Sequence, residues 1–234
     1  MAPTAIIGAT GLVGGFILST LLKASSPQTI QTITRRTPLS TGPTLQAVVE
    51  PDTTLWADRL AALSPAPSTV VSSLGTTRVA AGGIANQWKI DHDLNVELAE
   101  QAKKQGVRNF VFVSSAGVRS LVARQLPYSQ MKIGVEDTIQ RLDFDQAIIV
   151  KPGFIIGDRE VPHQGVWIAF GLIKGLAKVA GQWAADKMGQ EAEVIARATV
   201  HAMKLAEQGK APSKYWVIEA DEIIKLGRTE WKDL

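Results

Sequence analysis

The feature that most constrains the fold is a regular alternation of short apolar runs with longer amphipathic stretches. The apolar runs have the length and composition of buried strands, and the amphipathic stretches have the spacing of helices that cover one face of a sheet. The predicted strands are residues 5–7, 30–34, 45–49, 69–73, 110–114 and 147–150, and the predicted helices are residues 12–22, 90–104 and 128–142.

This order of elements predicts an α/β fold. A strand that is followed by a helix returns to the sheet through a right-handed crossover, so the predicted fold class is a doubly wound parallel sheet with helices on both faces. We expect one domain over residues 1–234, with a cofactor-binding core at 1–153. After Pro152 the composition changes to loops, two helices and a strand-like run at 215–218. We expect residues 154–234 to form a small C-terminal tail that caps the substrate side of the same domain.

Composition excludes several classes of function. The chain contains no cysteine, which excludes disulfides, thiol nucleophiles and cysteine metal sites. Its three histidines, at positions 92, 163 and 201, are not spaced as metal ligands, so we expect no metal site. A net charge of +3 does not indicate a nucleic-acid partner. We expect neither a targeting peptide before the strand at residue 5 nor a membrane span, because no apolar run reaches about 18 residues.

A glycine-rich turn directly follows the first predicted strand. Its sequence, Gly-Ala-Thr-Gly-Leu-Val-Gly over residues 8–14, opens the first predicted helix. Glycine lets the backbone turn tightly and approach a pyrophosphate, whose charge is stabilised by free N–H groups at the helix N-terminus. A tight strand-to-helix connection is the alternative, but the position after the first strand favours a dinucleotide-binding Rossmann fold. The predicted cofactor contacts in this turn are Gly8, Thr10, Gly11, Leu12, Val13 and Gly14.

The end of the second predicted strand indicates which dinucleotide binds. An acidic residue at this place would accept hydrogen bonds from the 2′-hydroxyl of the adenosine ribose. The chain has Arg35 and Arg36 there instead, about twenty residues beyond the glycine turn. Two guanidinium groups suit a 2′-phosphate, so the sequence favours NADP(H) over NAD(H). The alternative is a pair of solvated loop residues.

A tyrosine and a lysine lie one helical turn apart in the last helix before residue 147. Tyr128 and Lys132 share one face of this helix, and Ser114 and Ser115 end the strand before it, at the predicted cofactor edge of the sheet. This set suits carbonyl reduction. Tyr128 would act as general acid, Lys132 would lower the pKa of the phenol, and a serine would hold the carbonyl oxygen. The alternatives are strand-end hydrogen bonding for the serines and an ordinary amphipathic position for Tyr128.

Three further stretches make the chain resemble a known superfamily. They read Ser-Leu-Gly-Thr-Thr-Arg at 73–78, Trp-Lys-Ile-Asp-His-Asp at 88–93 and Val-Lys-Pro-Gly at 150–153. Together with the glycine turn, they resemble the atypical short-chain dehydrogenases/reductases over residues 4–165. Within that superfamily the chain looks most like the Tat-interacting-protein oxidoreductases and the fungal "found in mitochondrial proteome" (FMP) proteins of the outer membrane.

The resemblance implies a cofactor site and a location. NADPH would lie against the glycine turn, the two arginines, Tyr128 and Lys132, and the other implied cofactor contacts are Leu74, Gly75, Thr76, Pro152 and Ile155. The fungal relatives imply peripheral attachment to the cytosolic face of the mitochondrial outer membrane. The resemblance also implies that some members act as regulatory binding proteins, so a protein partner is included in the expectation.

Two residues depart from the pattern of the relatives, and one stretch has several explanations. Asp91 stands where many superfamily members have an asparagine that supports a proton relay, and His163 stands where close relatives have arginine. The stretch from Gly165 to Trp183 is rich in tryptophan and aliphatic residues and also contains Lys174 and Lys178. It fits a partly buried helix, a lid over a hydrophobic substrate or a helix at a membrane surface.

The leading functional hypothesis is an NADPH-dependent reductase of a small or lipophilic carbonyl compound. The second hypothesis is an NADP(H)-binding regulator or adaptor with little or no turnover, in which the cofactor stabilises a surface that another protein recognises. The third is an epimerase or dehydratase with a tightly held NAD, which Arg35 and Arg36 disfavour. The retained Tyr128 and Lys132 favour catalysis, although the same pair would also serve to bind the nicotinamide ribose.

Overall fold

A computed structural model describes residues 3–24, 28–157 and 188–232. In these residues the strands are β1 Thr4–Ile7, β2 Ile30–Thr34, β3 Leu45–Val49, β4 Thr69–Ser72, β5 Asn109–Val113, β6 Gln146–Val150, β7 Phe154–Ile156, β8 Gly189–Glu191 and β9 Tyr215–Ile218. Seven of them form a parallel sheet with the order β3-β2-β1-β4-β5-β6-β9, and β7 and β8 form a separate parallel pair. The doubly wound parallel sheet predicted from the sequence is confirmed.

The helices pack on both faces of this sheet. They are α1 Leu12–Lys23, α2 Trp56–Ala61, α3 Ile84–Trp88, α4 Leu94–Lys104, α5 Pro127–Leu142, α6 Ala192–Glu207 and α7 Ala220–Ile224, with π-helical segments at Lys89–Asp93 and Lys225–Thr229. Short 3₁₀ turns occupy Thr53–Leu55 and Ala123–Gln125. The three predicted helices are confirmed, except that the first turn of the one predicted at 90–104 is the π-helical segment before α4.

Alternation along the strands divides the core into two layers. Ile6 of β1 packs with α1 and α6 on one face, whereas Ala5 and Ile7 pack with α2, α4 and α5 on the other. Successive strand residues point to opposite faces, so a strand covered on both sides must be apolar throughout. This explains why β1 is completely buried.

The strand order places a topological switch point between β1 and β4. From β1 the chain continues to β2 and β3 on one side, and it crosses over to β4, β5 and β6 on the other. Ligands of open α/β sheets bind outside the carboxyl ends of the strands at such a point, because the connections leave in opposite directions and open a crevice. The glycine turn after β1 and the loop after β4 meet there.

The last elements of the tail join the main sheet and its core, and the expected position of the tail on the substrate side stays a prediction. Helix α6 packs in the same apolar core as α1, and β9 pairs with β6 as a strand of the main sheet. Trp216 and Ile218 of β9 are buried in that core. These elements therefore complete the seven-stranded sheet and the helical layer that contains α1. His163 and the stretch from Gly165 to Trp183 lie outside the described residues.

Candidate functional site

The glycine turn after β1 brings two strands into contact at the switch point. Gly8 has a φ of +86°, and a Cβ atom built on it would lie 2.9 Å from the carbonyl carbon of Ser73. The N–H of Gly11 donates to the carbonyl of Gly8 at 2.9 Å and closes the turn. A side chain at residue 8 would therefore be strained by its backbone conformation and would also separate β1 from the loop after β4.

The same turn aims the start of α1 at the carboxyl edge of the sheet. A Cβ on Gly14 would collide with the carbonyl oxygen of Gly8 and with Oγ of Ser73, so only glycine lets the helix pack this closely. Among the described residues, no side chain caps the N-terminus of α1 at Gly11. Uncapped N–H groups at a helix start stabilise an anion. The turn therefore fits the pyrophosphate of a dinucleotide.

The loop after β4 is held by a buried carboxylate. Asp91, in the π-helical segment before α4, is completely buried and accepts from the N–H of Thr76 at 2.7 Å through Oδ1. Its Oδ2 accepts from the side-chain amide of Gln87 at 3.2 Å, and the same amide donates to the carbonyl of Thr76 at 3.1 Å. Asp91 and Gln87 thus fix the backbone of the loop on both sides of Thr76.

Asn95 and Gln87 belong to this network, and the sequence prediction did not include them. Asn95 lies one turn after Asp91; its Oδ1 accepts from the hydroxyl of Ser72 at 2.6 Å, and its amide donates to the carbonyls of Ile90 and Asp91. It therefore ties the end of β4 to the π-helical segment. A signal was present, because Gln87, Asp91 and Asn95 recur every four residues and so form a polar stripe on one helical face.

Lys132 of α5 reaches the carboxyl end of β5. Its ammonium is buried, donates to the carbonyl of Val113 at 3.2 Å and lies 4.7 Å from the centre of the Phe112 ring. A Cβ built on Gly75 would lie 3.8 Å from Nζ of Lys132 and 3.8 Å from Oδ1 of Asp91. The lysine predicted from the sequence therefore lies beside Gly75, in the loop after β4, and opposite a buried carboxylate.

Burial shifts the pKa values of Lys132 and Asp91 toward their uncharged forms. Desolvation lowers the pKa of Lys132, and the charges of Asp91 and Glu136 partly oppose this shift. Desolvation likewise raises the pKa of Asp91, against the charge of Lys132 and the hydrogen bonds from Thr76 and Gln87. Lys132 and Asp91 therefore each favour the charged form of the other, against the effect of burial.

Tyr128 lies one turn before Lys132, in the first turn of α5, and its side chain is 41% exposed. Residues four apart lie on the same face of a helix, so Tyr128 and Lys132 share one face of α5. Ser115, at the end of β5, is partly exposed and makes no hydrogen bond to another described residue. Its hydroxyl is thus available to a ligand.

Ser114 is the exception among the predicted catalytic residues. Its hydroxyl is buried and donates to Oε1 of Glu136 at 2.5 Å. Oε2 of Glu136 accepts from Arg119 at 2.9 Å and from Lys151 at 3.0 Å. Ser114 therefore belongs to a buried cluster of charges that joins β5, α5 and the end of β6. The catalytic role of Ser114 stays a prediction, and its partner Glu136 is a residue that the sequence prediction did not include.

The remaining predicted cofactor contacts lie at opposite ends of the crevice. Arg35 and Arg36 are exposed directly after β2. The carbonyl of Pro152 accepts from the N–H of Ala116 at 2.8 Å, which holds the loop after β6 against the loop after β5. Ile155 lies in β7 and packs against the α1 and α6 layer. The arginines and the Pro152 loop are thus placed on either side of the switch point.

The fold and the switch-point crevice define a Rossmann-type protein with an NAD-binding fold. The chain belongs to the NAD dependent epimerase/dehydratase family, whose model matches residues 4–159. Among solved structures, it is similar to the UDP-glucuronic acid 4-epimerase from Bacillus cereus in complex with NAD. That match has a TM-score of 0.66 at 17% identity and covers 93% of this chain and 76% of the epimerase chain.

Similar curated proteins come from filamentous fungi. Protein FMP52, mitochondrial, from Chaetomium globosum is 61% identical over 233 residues, which is 100% of both chains. Protein fmp-52, mitochondrial, from Neurospora crassa is 59% identical and covers 98% of this chain and 97% of its own. The predicted resemblance to the short-chain dehydrogenase/reductase superfamily and to the FMP proteins is confirmed. The resemblance to the Tat-interacting-protein oxidoreductases stays a prediction.

Proposed function

We propose that the protein is an NADP(H)-dependent reductase of a carbonyl compound. The observation that carries the proposal is the position of Lys132. Its buried ammonium lies at the carboxyl end of β5, beside Gly75 of the cofactor loop and one helical turn from Tyr128. When bound, NADPH supplies the hydride that adds to the carbonyl carbon, and residues of this chain supply the proton.

The three polar side chains have separate tasks. Tyr128 donates its phenolic proton to the carbonyl oxygen as charge develops there. The ammonium of Lys132 stabilises the phenolate that remains, because an opposite charge nearby favours the ionised form. The hydroxyl of Ser115, which has no partner among the described residues, donates to the carbonyl oxygen and holds it in place. Atoms balance, since one hydride and one proton convert the carbonyl to an alcohol.

The cofactor is held along the crevice in the same proposal. The uncapped start of α1, with Thr10, Leu12 and Val13, binds the pyrophosphate, and the loop from Leu74 to Thr76 borders the ribose beside Lys132. Ile155 and Pro152 border the nicotinamide. Arg35 and Arg36 bind the 2′-phosphate, since exposed guanidinium groups at the end of β2 pair with a phosphate at little desolvation cost.

Cofactor preference is tested by fluorescence titration with NADPH and NADH. We expect tighter binding of NADPH, and we expect Arg35→Ala to weaken NADPH binding about 10- to 100-fold, the value of a charge-assisted hydrogen bond, without weakening NADH binding. Arg108→Ala is the matched control, because Arg108 is exposed at the opposite edge of the sheet, before β5. Equal affinities for the two nucleotides in the wild-type protein would contradict the assignment to NADP(H).

Turnover is tested by a screen of carbonyl substrates in which NADPH oxidation is followed. Tyr128→Phe should lower kcat about 10²- to 10⁴-fold, because it removes the proton donor while keeping the ring. Tyr215→Phe is the matched control, since Tyr215 is the other of the chain's two tyrosines and its hydroxyl donates to the carbonyl of Glu136 at 3.4 Å. Unchanged turnover in Tyr128→Phe would exclude the proposed acid. NADPH binding with no turnover of any carbonyl would support the regulatory or adaptor function instead.

We also propose peripheral attachment to the cytosolic face of the mitochondrial outer membrane. The support is that similar fungal proteins carry the word mitochondrial in their names. In the part of the chain that the structure describes, no helix combines the length and the apolar character that crossing a membrane requires. In fractionated cells, the protein should sediment with mitochondria, be released by alkaline carbonate and be digested by protease added to intact organelles. Protection from that protease would contradict the assignment.

A further inference from the structure

Asp91 is a fully buried carboxylate in the middle of the proposed site. Its two oxygens serve different neighbours, since Oδ1 accepts from the N–H of Thr76 and Oδ2 accepts from the amide of Gln87. The amide of Gln87 also donates to the carbonyl of Thr76. The backbone of the cofactor loop is therefore fixed through Asp91, directly at one atom and through Gln87 at another.

The charge of Asp91 acts on Lys132. The space above Gly75 is bounded by Oδ1 of Asp91 and Nζ of Lys132, each 3.8 Å from the position of a Cβ on that glycine. Both side chains are removed from water, so each charge depends on the other for compensation. A neutral residue at position 91 would leave the ammonium of Lys132 with less compensation.

Among the other groups that face Lys132, Asp91 is the dominant counter-charge. Glu136 acts on Lys132 from the same helix, but its carboxylate also binds Arg119, Lys151 and the hydroxyl of Ser114. From β5, the carbonyl of Val113 contributes a dipole without a net charge. The remaining titratable group on this face of α5 is Tyr128. Glu136 thus compensates two other cations, Arg119 and Lys151, whereas the cation that interacts with the charge of Asp91 is Lys132.

We propose that Asp91 is a positioning residue that holds the Leu74–Thr76 loop through its two acceptor oxygens and keeps Lys132 charged through its own negative charge. The importance of Asp91 for catalysis rests on the proposed function. Its hydrogen bonds to the loop and its interaction with Lys132 are present without any ligand. An asparagine at this position would present a donor to the amide of Gln87 and carry no charge, so it could not perform either task in full. Asp91, which departs from the superfamily pattern, would then have a specific role in this site.

The test uses Asp91→Asn in the full-length protein without nucleotide. We expect the amide of Thr76 to exchange with solvent about tenfold faster, since a neutral acceptor replaces a charged one. We also expect the pKa of Lys132, followed by NMR of labelled lysine side chains, to fall below its wild-type value. Asp93→Asn is the matched control. It lies two residues further along, pairs with His92 on the surface and should change neither quantity.

NADPH titrations connect this result to the site. In Asp91→Asn, the loss of NADPH affinity on raising the pH should begin at a lower pH than in the wild-type protein, because Lys132 loses its proton earlier. Unchanged exchange at Thr76 together with an unchanged pKa of Lys132 would overturn the inference, even if the wild-type protein reduces carbonyls. A wild-type protein that neither binds NADPH nor reduces carbonyls would overturn the proposed function, and the two measurements without nucleotide would still decide the role of Asp91.

If Asp91→Asn does not fold, amide exchange in the wild-type protein tests the inference instead. The amide of Thr76 should then exchange about tenfold more slowly than the amides of Gly75 and Thr77, because it alone of the three donates to the buried carboxylate. Equal exchange of the three amides would overturn the inference, and slow exchange confined to Thr76 would support it.

Discussion

Two buried carboxylates lie on either side of Lys132, and their surroundings differ. Glu136 contacts Arg119, Lys151 and the hydroxyl of Ser114, so its charge is matched by groups that join β5, β6 and α5. Asp91 has two neutral hydrogen-bond donors and the charge of Lys132. Glu136 therefore belongs to a structural cluster in which its charge is paired with two cations, whereas Asp91 and Lys132 form a pair in which each pKa is shifted toward the uncharged form.

This difference shows how one helix can serve stability and chemistry at once. Lys132 and Glu136 are one turn apart in α5. The carboxylate of Glu136 binds neighbouring side chains of the protein, whereas the ammonium of Lys132 lies beside Gly75. A buried charge that is fully paired stabilises the native arrangement of the groups around it. A buried charge with limited compensation responds to ligands and pH. Variants at these positions should therefore separate stability from nucleotide binding.

The largest effect on stability is expected from Glu136→Gln. It leaves the cations of Arg119 and Lys151 without their shared anion, and breaking a buried pair costs about 3 kcal/mol or more, which corresponds to a fall in Tm of about 6–12 °C. The affinity for NADPH should change little at a temperature where the variant is folded. Thermal unfolding and NADPH titration measure the two quantities. A variant with wild-type Tm and weakened NADPH binding would reverse the assignment of the two carboxylates.

Lys132→Met should show the opposite pattern. Its cost in stability should be about 1–2 kcal/mol, below that of Glu136→Gln, because Asp91 can take up a proton when its cation is removed. NADPH affinity should fall about tenfold or more with the loss of a charged donor. The double variant Asp91→Asn with Lys132→Met should regain part of the lost stability in urea unfolding, since no buried charge is left alone. Strictly additive losses in that double-mutant cycle would contradict the pairing.

A smaller effect is expected in the pH dependence of stability. Between the lowered pKa of Lys132 and its ordinary value of 10.5, the unfolded chain holds a proton that the folded chain lacks, so Lys132 makes stability rise with pH in this window. Lys132→Met should reduce that slope by at most about 1.4 kcal/mol per pH unit. Urea unfolding of both proteins across this range measures the difference. An identical slope in the two proteins would mean that burial does not shift the pKa of Lys132.

The smallest effect is expected at an exposed ion pair that serves as a reference for the two buried groups. Lys214 lowers the pKa of the Asp143 carboxyl through a hydrogen bond and its charge. The contribution of this pair is present above the ordinary pKa of 3.8 and is lost as the pH falls through the lowered value. Solvent and salt screen such pairs, so Lys214→Gln should leave Tm at neutral pH unchanged within error. A shift as large as that of Glu136→Gln would show that burial does not govern these contributions.

The sequence predicted the sheet well because a strand covered on both faces must be apolar and the chain alternates strands with helices. It did not predict β7 and β8, since each has only 3 residues and is too short for an alternation of period two to show. It did not predict that α6 and β9 join the main sheet and its core, because no local feature shows which layer a later element joins. Packing against α1 and pairing with β6 decide that arrangement.

Candidate site residues were predictable where one chain segment carries the signal and less so where distant segments meet. The glycine turn and the pair of Tyr128 and Lys132 are local patterns. Ser114 and Ser115 could not be separated without the structure, because alternation at the end of β5 sends one hydroxyl toward Glu136 and the other away from it. The role of Asp91 depends on Thr76 and Lys132, which are distant from it in the sequence.

The close contact of Gly14 with Gly8 and Ser73 bears on how proteins of this kind can diverge. An added methyl group at Gly14 meets backbone and a hydroxyl at once, so a larger residue fits there only if the glycine turn moves. Arg35 and Arg36, by contrast, are exposed beyond β2, and neither belongs to an apolar core cluster of the described residues. If these arginines bind the 2′-phosphate as proposed, coenzyme preference can change through two surface substitutions while the glycine turn keeps its shape.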